Sequence, residues 1–245
     1  MMETIVSKPQ IQSLDNNKIK RLDLEQTDKE DLLLGFRKDG KPYSVRKHRK
    51  SFFMPDVWLE LMDKLTTYKA KLTADVLIQT GARINECRNI EERDLDYDRN
   101  TIRLRVTKTK ARKKGEERGT PRTIPINSKF MRRLKKHFSQ LPEGSKIGIL
   151  TTAAFNIRLK DTLKAMGKKD YYMFSAHSVR KTHGNWLKTM GNAKLMDVDS
   201  SEICLRAGHD MNTYMRDYGS PSAMNSNDHA NIKLILGDLY APQSS

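Results

Sequence analysis

Apolar positions along the chain gather into a few periodic stretches divided by polar, charge-dense ones. Val57-Trp-Leu-Glu-Leu-Met62, with Leu65 continuing its face, follows Pro55 and Asp56, and that pair signals a helix start. Leu72 to Gln79 is apolar on most sides, which predicts a buried helix ended by Gly81, a residue suited to positive φ. Thr101-Ile-Arg-Leu-Arg-Val-Thr-Lys108 then alternates strictly. Ile102, Leu104 and Val106 share one face, Arg103, Arg105 and Thr107 the other, the period of a half-buried strand, with Arg122 to Ile126 as its partner. Ser128 caps a helix through Phe138, and Leu141-Pro-Glu-Gly144 marks a turn. Phe155, Leu159 and Leu163, at four-residue steps, give a core face to a helix over 152–166. Val179, Trp186, Leu187 and Met190 anchor the inner face of the next, and Ser200 or Ser201 caps another through Ala207. The closing apolar segment, Ile232 to Tyr240, follows a polar spacer, Ser220 to His229, and is expected to pack on its own domain or on a neighbour's. The pattern predicts an α+β fold, mainly α-helical, with a small antiparallel β-hairpin or sheet at one edge.

The front of the chain reads differently. Met1 to Glu30 has no sustained period and reads as a flexible lead-in, with one short helix near Asp31-Leu-Leu-Leu-Gly-Phe36. From Arg37 to Lys50 the basic residues Arg37, Lys38, Lys41, Arg46, Lys47, Arg49 and Lys50 face Asp39 alone. Residues 1–50 are therefore expected to be a basic arm, with a solvated linker as the alternative, and the globular part to begin at Phe52. The loop between the two central strands is equally basic: Lys110, Arg112, Lys113, Lys114 and Arg118 crowd its tip.

With 245 residues the chain is long enough for one good-sized domain or two small ones. Its net charge of +16 points to a polyanion. Nucleic acid is favoured over a membrane because no apolar run approaches ~20 residues. Candidate nucleic-acid phosphate contacts are Arg46, Lys47, Arg49 and Lys50 in the arm and Lys110, Arg112, Lys113 and Lys114 in the loop. The opening residues lack the basic start and apolar core of a signal peptide, and Cys87 and Cys204 are too few for a disulfide framework. Both point to the cytoplasm. Cys204, His209 and the scattered His48, His137, His177, His183 and His229 make no paired-ligand spacing, so no metal is expected.

Chemistry concentrates late in the chain, in Phe174-Ser-Ala-His-Ser-Val-Arg-Lys-Thr-His-Gly184, Ala207-Gly-His209 and Tyr218. His177 and Arg180 stand three residues apart, so on a helix both reach one anionic group. Tyr218 lies nine positions past His209 and near Arg216, and a phenol beside fixed positive charge is a potential nucleophile.

These pieces resemble the active site of the tyrosine recombinases, the phage-integrase type of DNA breaking and rejoining enzyme. Thr80-Gly-Ala-Arg-Ile-Asn-Glu86 looks like that family's first-arginine motif, and the fragments occur in the family's order. The resemblance implies Arg83, Lys108, His177, Arg180, His209 and Tyr218 as catalytic residues, with Glu86 in support. It also implies a 3′-phosphotyrosyl intermediate, no cofactor, double-stranded DNA as partner with a homo-oligomer (dimer or tetramer) on it, and a mobile element or virus as source. Lys110 is the alternative to Lys108 as general acid, and Tyr214 the rival nucleophile. Two features depart from the family's pattern. Gly191 to Ser201 reads as a lengthened loop, and the residues before Phe52 do not look like a full helical core-binding domain. The DNA clamp is then either reduced to the basic arm or supplied by another chain. The same chemistry also admits a type IB topoisomerase-like or hairpin-forming strand transferase, and the same fold admits a DNA-binding protein that does not cleave.

Overall fold

The structure is a computed structural model; it describes the backbone of residues 32–36 and 42–46, and residues 52–105, 121–208, 211 and 224–240 in full. The chain divides into two units, Met1–Arg49 and Lys50–Ser245.

In the first unit, β1 (Leu32–Phe36) pairs antiparallel with β2 (Pro42–Arg46), Leu34 opposite Ser44. The helix expected near residues 31–36 is therefore a strand. Five apolar residues are too few to nucleate a helix, and Gly35 adds about 1 kcal/mol against one. Opposite them stand Tyr43 and Val45, which favour strands, and Pro42 occupies the first strand position, where its missing N–H is tolerated. The remaining residues of the expected flexible lead-in and arm lie outside the described residues.

The second unit opens with α1 (Pro55–Lys64), Pro at its first position and Asp56 in its first turn as the start signal requires. α2 (Tyr68–Thr80) begins a turn earlier than the apolar run suggests, because Thr67 Oγ1 accepts the Ala70 N–H at 3.2 Å and caps a polar first turn. It is buried on most sides and ends at Gly81, whose φ of 61° lies in the left-handed region. A Cβ there would also stand 2.3 Å from the His183 ring, so glycine is required twice over. α3 (Ile84–Cys87) follows directly.

A three-stranded antiparallel sheet, ordered β3 (Leu95–Asp96), β4 (Thr101–Leu104), β5 (Arg122–Pro125), forms one edge. Ile102 faces Ile124 and Leu104 faces Arg122, and the alternation predicted for Thr101 to Leu104 is observed, Ile102 and Leu104 buried and Arg103 exposed. β3 is too short to leave a periodic trace in the sequence.

α4 (Ser128–Phe138) is capped by Asn127, whose side chain accepts the Phe130 N–H at 2.9 Å, rather than by Ser128. On α5 (Thr152–Ala165), Phe155, Leu159 and Leu163 are fully buried, as their spacing predicts. α6 (Ala176–Asn192) runs through the core, with Val179, Trp186, Leu187 and Met190 fully buried. Trp186 meets Trp58 edge-on at 6.3 Å and donates to the Phe53 carbonyl at 3.1 Å, while Thr182 Oγ1 accepts the Phe53 N–H at 2.8 Å. The start of the folded unit is thereby stitched to α6.

The expected lengthened loop is partly helical, since α6 continues to Asn192. α7 (Ser200–Ala207) is capped by Asp199, which accepts the Glu202 N–H at 2.7 Å, in place of either serine. α8 (Ser226–Leu236) packs on its own domain, with Ile232 and Leu236 buried, as is Leu239 just beyond its end. Gln79 and Asn127 donate to the Ile235 and Leu236 carbonyls at 2.7 and 2.9 Å. These bonds capture carbonyls that the helix end leaves without intrahelical donors. Among the described residues no helix is long and apolar enough to cross a membrane.

Candidate functional site

The turn after α2 delivers Arg83 as the residue preceding α3. Glu86, three residues on, reaches back across the helix start: Oε2 accepts the Arg83 backbone N–H and Oε1 its Nη1, each at 3.0 Å. This is one half of a capping box, the N3 carboxylate accepting the N-cap backbone N–H, and the guanidinium, which has no acceptor, adds a second bond to the same carboxylate. The Glu86 side chain is fully buried, whereas that of Arg83 is 32% exposed. One edge of the guanidinium is thus pinned while the group still meets solvent.

Glu86 holds a second arginine. Its Oε2 accepts from Arg122 Nη2 at 2.7 Å, and Arg122 is itself buried at the first position of β5. Burial pushes the Glu86 carboxyl up, but the hydrogen bond and charge of Arg122, with the two bonds from Arg83, outweigh it and hold the group below its ordinary range. Glu86 is therefore a fixed anion that aligns two cations. Its neighbour Cys87 is chemically quiet, for burial raises its thiol to about 12.

Arg180, in the second turn of α6, is only 2% exposed. Nη1 donates to the Gly81 carbonyl at 3.1 Å, two residues before Arg83, and Nη2 donates to the Ala207 carbonyl, two residues before His209. Arg122 completes the link, its Nε donating to the Arg206 carbonyl at 3.0 Å. The last two carbonyls of α7, at the negative end of its dipole, are thus each taken by an arginine. Gly208 follows with φ 61°, and a Cβ on it would stand 3.4 Å from Arg122 Nη1. Residues 81–86, 122, 180 and 206–208, remote in sequence, form one charged cluster.

The predicted site residues fall into three groups. Arg83, Glu86 and Arg180 are brought together. His177 lies in the first turn of α6, one turn before Arg180, but is exposed where Arg180 is buried, so the two face different surroundings. Arg46 ends β2 in the other unit. Lys108, Lys110, Arg112, Lys113, Lys114, His209, Tyr214, Tyr218, Lys47, Arg49 and Lys50 lie outside the described residues.

Three buried polar residues in or beside the cluster have no role in the motifs read from the sequence. Arg122 alternates with the buried Ile124 and Ile126, so an arginine on the inward face of a strand is its signal. His183 lies four residues after Val179 and four before Leu187, on the apolar face of α6. Arg206 lies three residues after buried Ile203. In each case a polar residue occupies a core position of an otherwise regular pattern.

Residues 51–199 match the phage integrase family. No curated protein matches the chain. Among solved structures, the XerA recombinase superposes with a TM-score of 0.54 at 16% identity, over 77% of this chain and 65% of that one. The Tn1549 transposon integrase in complex with transposon right end DNA gives 0.54 at 16% identity, over 77% and 66%. The XerH site-specific recombinase bound to difH substrate gives 0.52 at 14%, over 77% and 57%. The chain thus spans less than two thirds of the first of these relatives. At such identities the likeness is one of fold, and the mainly helical fold with a small antiparallel sheet is the class expected from the sequence.

Proposed function

The chain belongs to the phage integrase family, and from that premise we propose that it breaks and rejoins strands of double-stranded DNA through a 3′-phosphotyrosyl intermediate on Tyr218. The phenolic oxygen attacks the scissile phosphorus, a P–O(Tyr) bond forms, and the P–O5′ bond breaks to leave a free 5′-hydroxyl. Charge on the phosphorane is spread over the donors Arg83, Arg180 and His209. Lys108 supplies the proton to the leaving 5′-oxygen, and His177 assists proton transfer at the tyrosine. Attack by a second strand's 5′-hydroxyl reverses the sequence and returns the tyrosine, so rejoining needs no nucleotide cofactor. Strand exchange between two duplexes calls for more than one active site, and a homo-oligomer on DNA meets that need.

The observation that carries the reading is the pair of bonds from Arg180 to the Gly81 and Ala207 carbonyls, which draws together the segments leading to Arg83 and to His209. Glu86 supports it further, holding Arg83 in a set orientation with one part in solvent. DNA as partner is supported by the net charge of +16 and by the DNA present in the Tn1549 integrase and XerH complexes.

The test is covalent capture. Incubated with a pool of nicked duplexes of random sequence, the protein is expected to form an adduct that survives denaturation, and sequencing the attached DNA identifies the site. Tyr218→Phe should abolish the adduct with binding intact, and Tyr214→Phe should retain it. Adducts lost only in Tyr214→Phe would move the nucleophile. Binding without an adduct in any arm would refute strand transfer.

A further inference from the structure

Behind the site lies an arginine to which the proposed chemistry gives no part. Arg206, in the last turn of α7, is 1% exposed. Its Nε donates to His183 Nε2 at 2.8 Å, Nη2 donates to the Gln79 carbonyl, and Nη1 donates to the Tyr240 hydroxyl at 3.3 Å. Tyr240 in turn donates to Glu202, so a carboxylate one hydroxyl away balances the buried charge.

The protonation of His183 follows from this geometry. A guanidinium has no lone pair to offer, so Nε2 is the acceptor, and the ring proton sits on Nδ1, which donates to the Ile78 carbonyl at 2.6 Å. Burial, with the charges of Arg206 and Arg180, keeps the imidazole far below its ordinary pKa and therefore neutral. The ring is a rigid spacer of fixed polarity between the backbone of α2 and the side chain of α7. The space it fills is the space that Gly81 leaves open.

A buried charge with its partners is seldom worth more to stability than apolar residues of the same volume. What it adds is direction, because hydrogen bonds fix orientation where apolar contacts permit sliding. Here the direction is given to the end of α7, whose next residues are Gly208 and His209. We propose that His183 and Arg206 form a buried positioning pair that sets the turn at Gly208, and the chain leading to His209, against Arg180. The inference rests on the strand-transfer reading for its effect on rate, though not for its effect on the turn.

The test compares three full-length variants by single-turnover cleavage, DNA affinity, melting temperature and amide hydrogen exchange over residues 203–209. His183→Leu with Arg206→Met replaces the pair by apolar groups. It should melt close to wild type and bind DNA equally, yet cleave about 10²-fold more slowly, the scale of a small misplacement of reacting groups, with faster exchange over 203–209. His183→Gln, whose amide offers both a donor and an acceptor, should cleave like wild type. Arg206→Lys keeps the charge but loses the Nε–H, and should be slow. If the apolar double variant fails to fold, the contrast between His183→Gln and Arg206→Lys decides, and equal rates overturn the pair. Wild-type cleavage or unchanged exchange in a folded double variant would also overturn it. Should the wild-type protein form no adduct at all, the strand-transfer reading falls, and the exchange measurement alone decides whether the pair holds the turn.

Discussion

Replacing Glu86 by glutamine tests the centre of the cluster with the smallest change of shape. The carboxylate accepts three hydrogen bonds, two from Arg83 at 3.0 Å and one from Arg122 at 2.7 Å, and its side chain is fully buried. An amide offers one acceptor and one donor. Whichever way it turns, its NH₂ confronts an arginine N–H, and the charge that neutralised Arg122 is gone. Removing one partner of a buried ion pair costs about 3–5 kcal/mol. Because Arg83 is partly solvated, the lower end applies, about 3 kcal/mol. For a chain of this size that corresponds to a fall in melting temperature of roughly 6–12 °C, measurable by calorimetry at neutral pH. The pH dependence has a definite sign. Glu86 is held below its ordinary value of 4.5, so its contribution is complete above that pH and is lost as pH falls through the depressed folded value. The gap between wild type and Glu86→Gln should therefore be constant from neutral pH down to about 4.5 and close at lower pH. Cleavage should fall by about 10²-fold, because Arg83 loses its alignment. A melting temperature lowered by less than about 2 °C, or a gap that persists unchanged through pH 3, would refute the assignment of Glu86 as the anion that aligns both arginines.

Other outcomes follow from the same geometry. Gly81→Ala forces a left-handed φ on alanine and drives its Cβ into the His183 ring, so it should destabilise by more than about 1 kcal/mol in urea titrations and slow cleavage together. Trp186→Ala should cost about 3–5 kcal/mol, since it empties a fully buried site and leaves the Phe53 carbonyl without its donor. For the general acid, a substrate with sulfur in place of the bridging 5′-oxygen has a leaving group that needs no proton. Its cleavage should be restored in Lys108→Ala; restoration in Lys110→Ala alone would move the role. Neutralising Arg46, Lys47, Arg49 and Lys50 should flatten the dependence of log K on log salt by about 0.9 for each phosphate the arm no longer neutralises, and an unchanged slope would show that the arm does not touch DNA.

Regular core faces are legible in the residue pattern. Phe155, Leu159 and Leu163 on α5, the alternation at Thr101 to Leu104, and the buried face of α6 all follow from period alone, because burial of a repeating side is what the repeat encodes. The pairing of Arg83 with Glu86 is equally plain, since residues three apart meet at a helix start, whereas His177 and Arg180, also three apart, meet different surroundings. Local ambiguities are settled by partners remote in sequence. Leu32 to Phe36 is a strand because Pro42 to Arg46 pairs with it, and the closing apolar segment packs on its own domain because Gln79 and Asn127 take its terminal carbonyls.

What sequence alone determined about this protein is therefore its class, the helices and strands with a regular buried face, and the identity of the residues that carry its charge. Tertiary structure alone decided which arginine does what. Arg83 and Arg180 look alike along the chain, yet one keeps part of its guanidinium in solvent while the other is buried against two carbonyls, and Arg122 and Arg206 enter the cluster without a motif to announce them. The reason is physical. Periodicity encodes which side of an element is buried, but a buried polar group is satisfied by partners that chain folding, and not local spacing, brings within hydrogen-bonding distance.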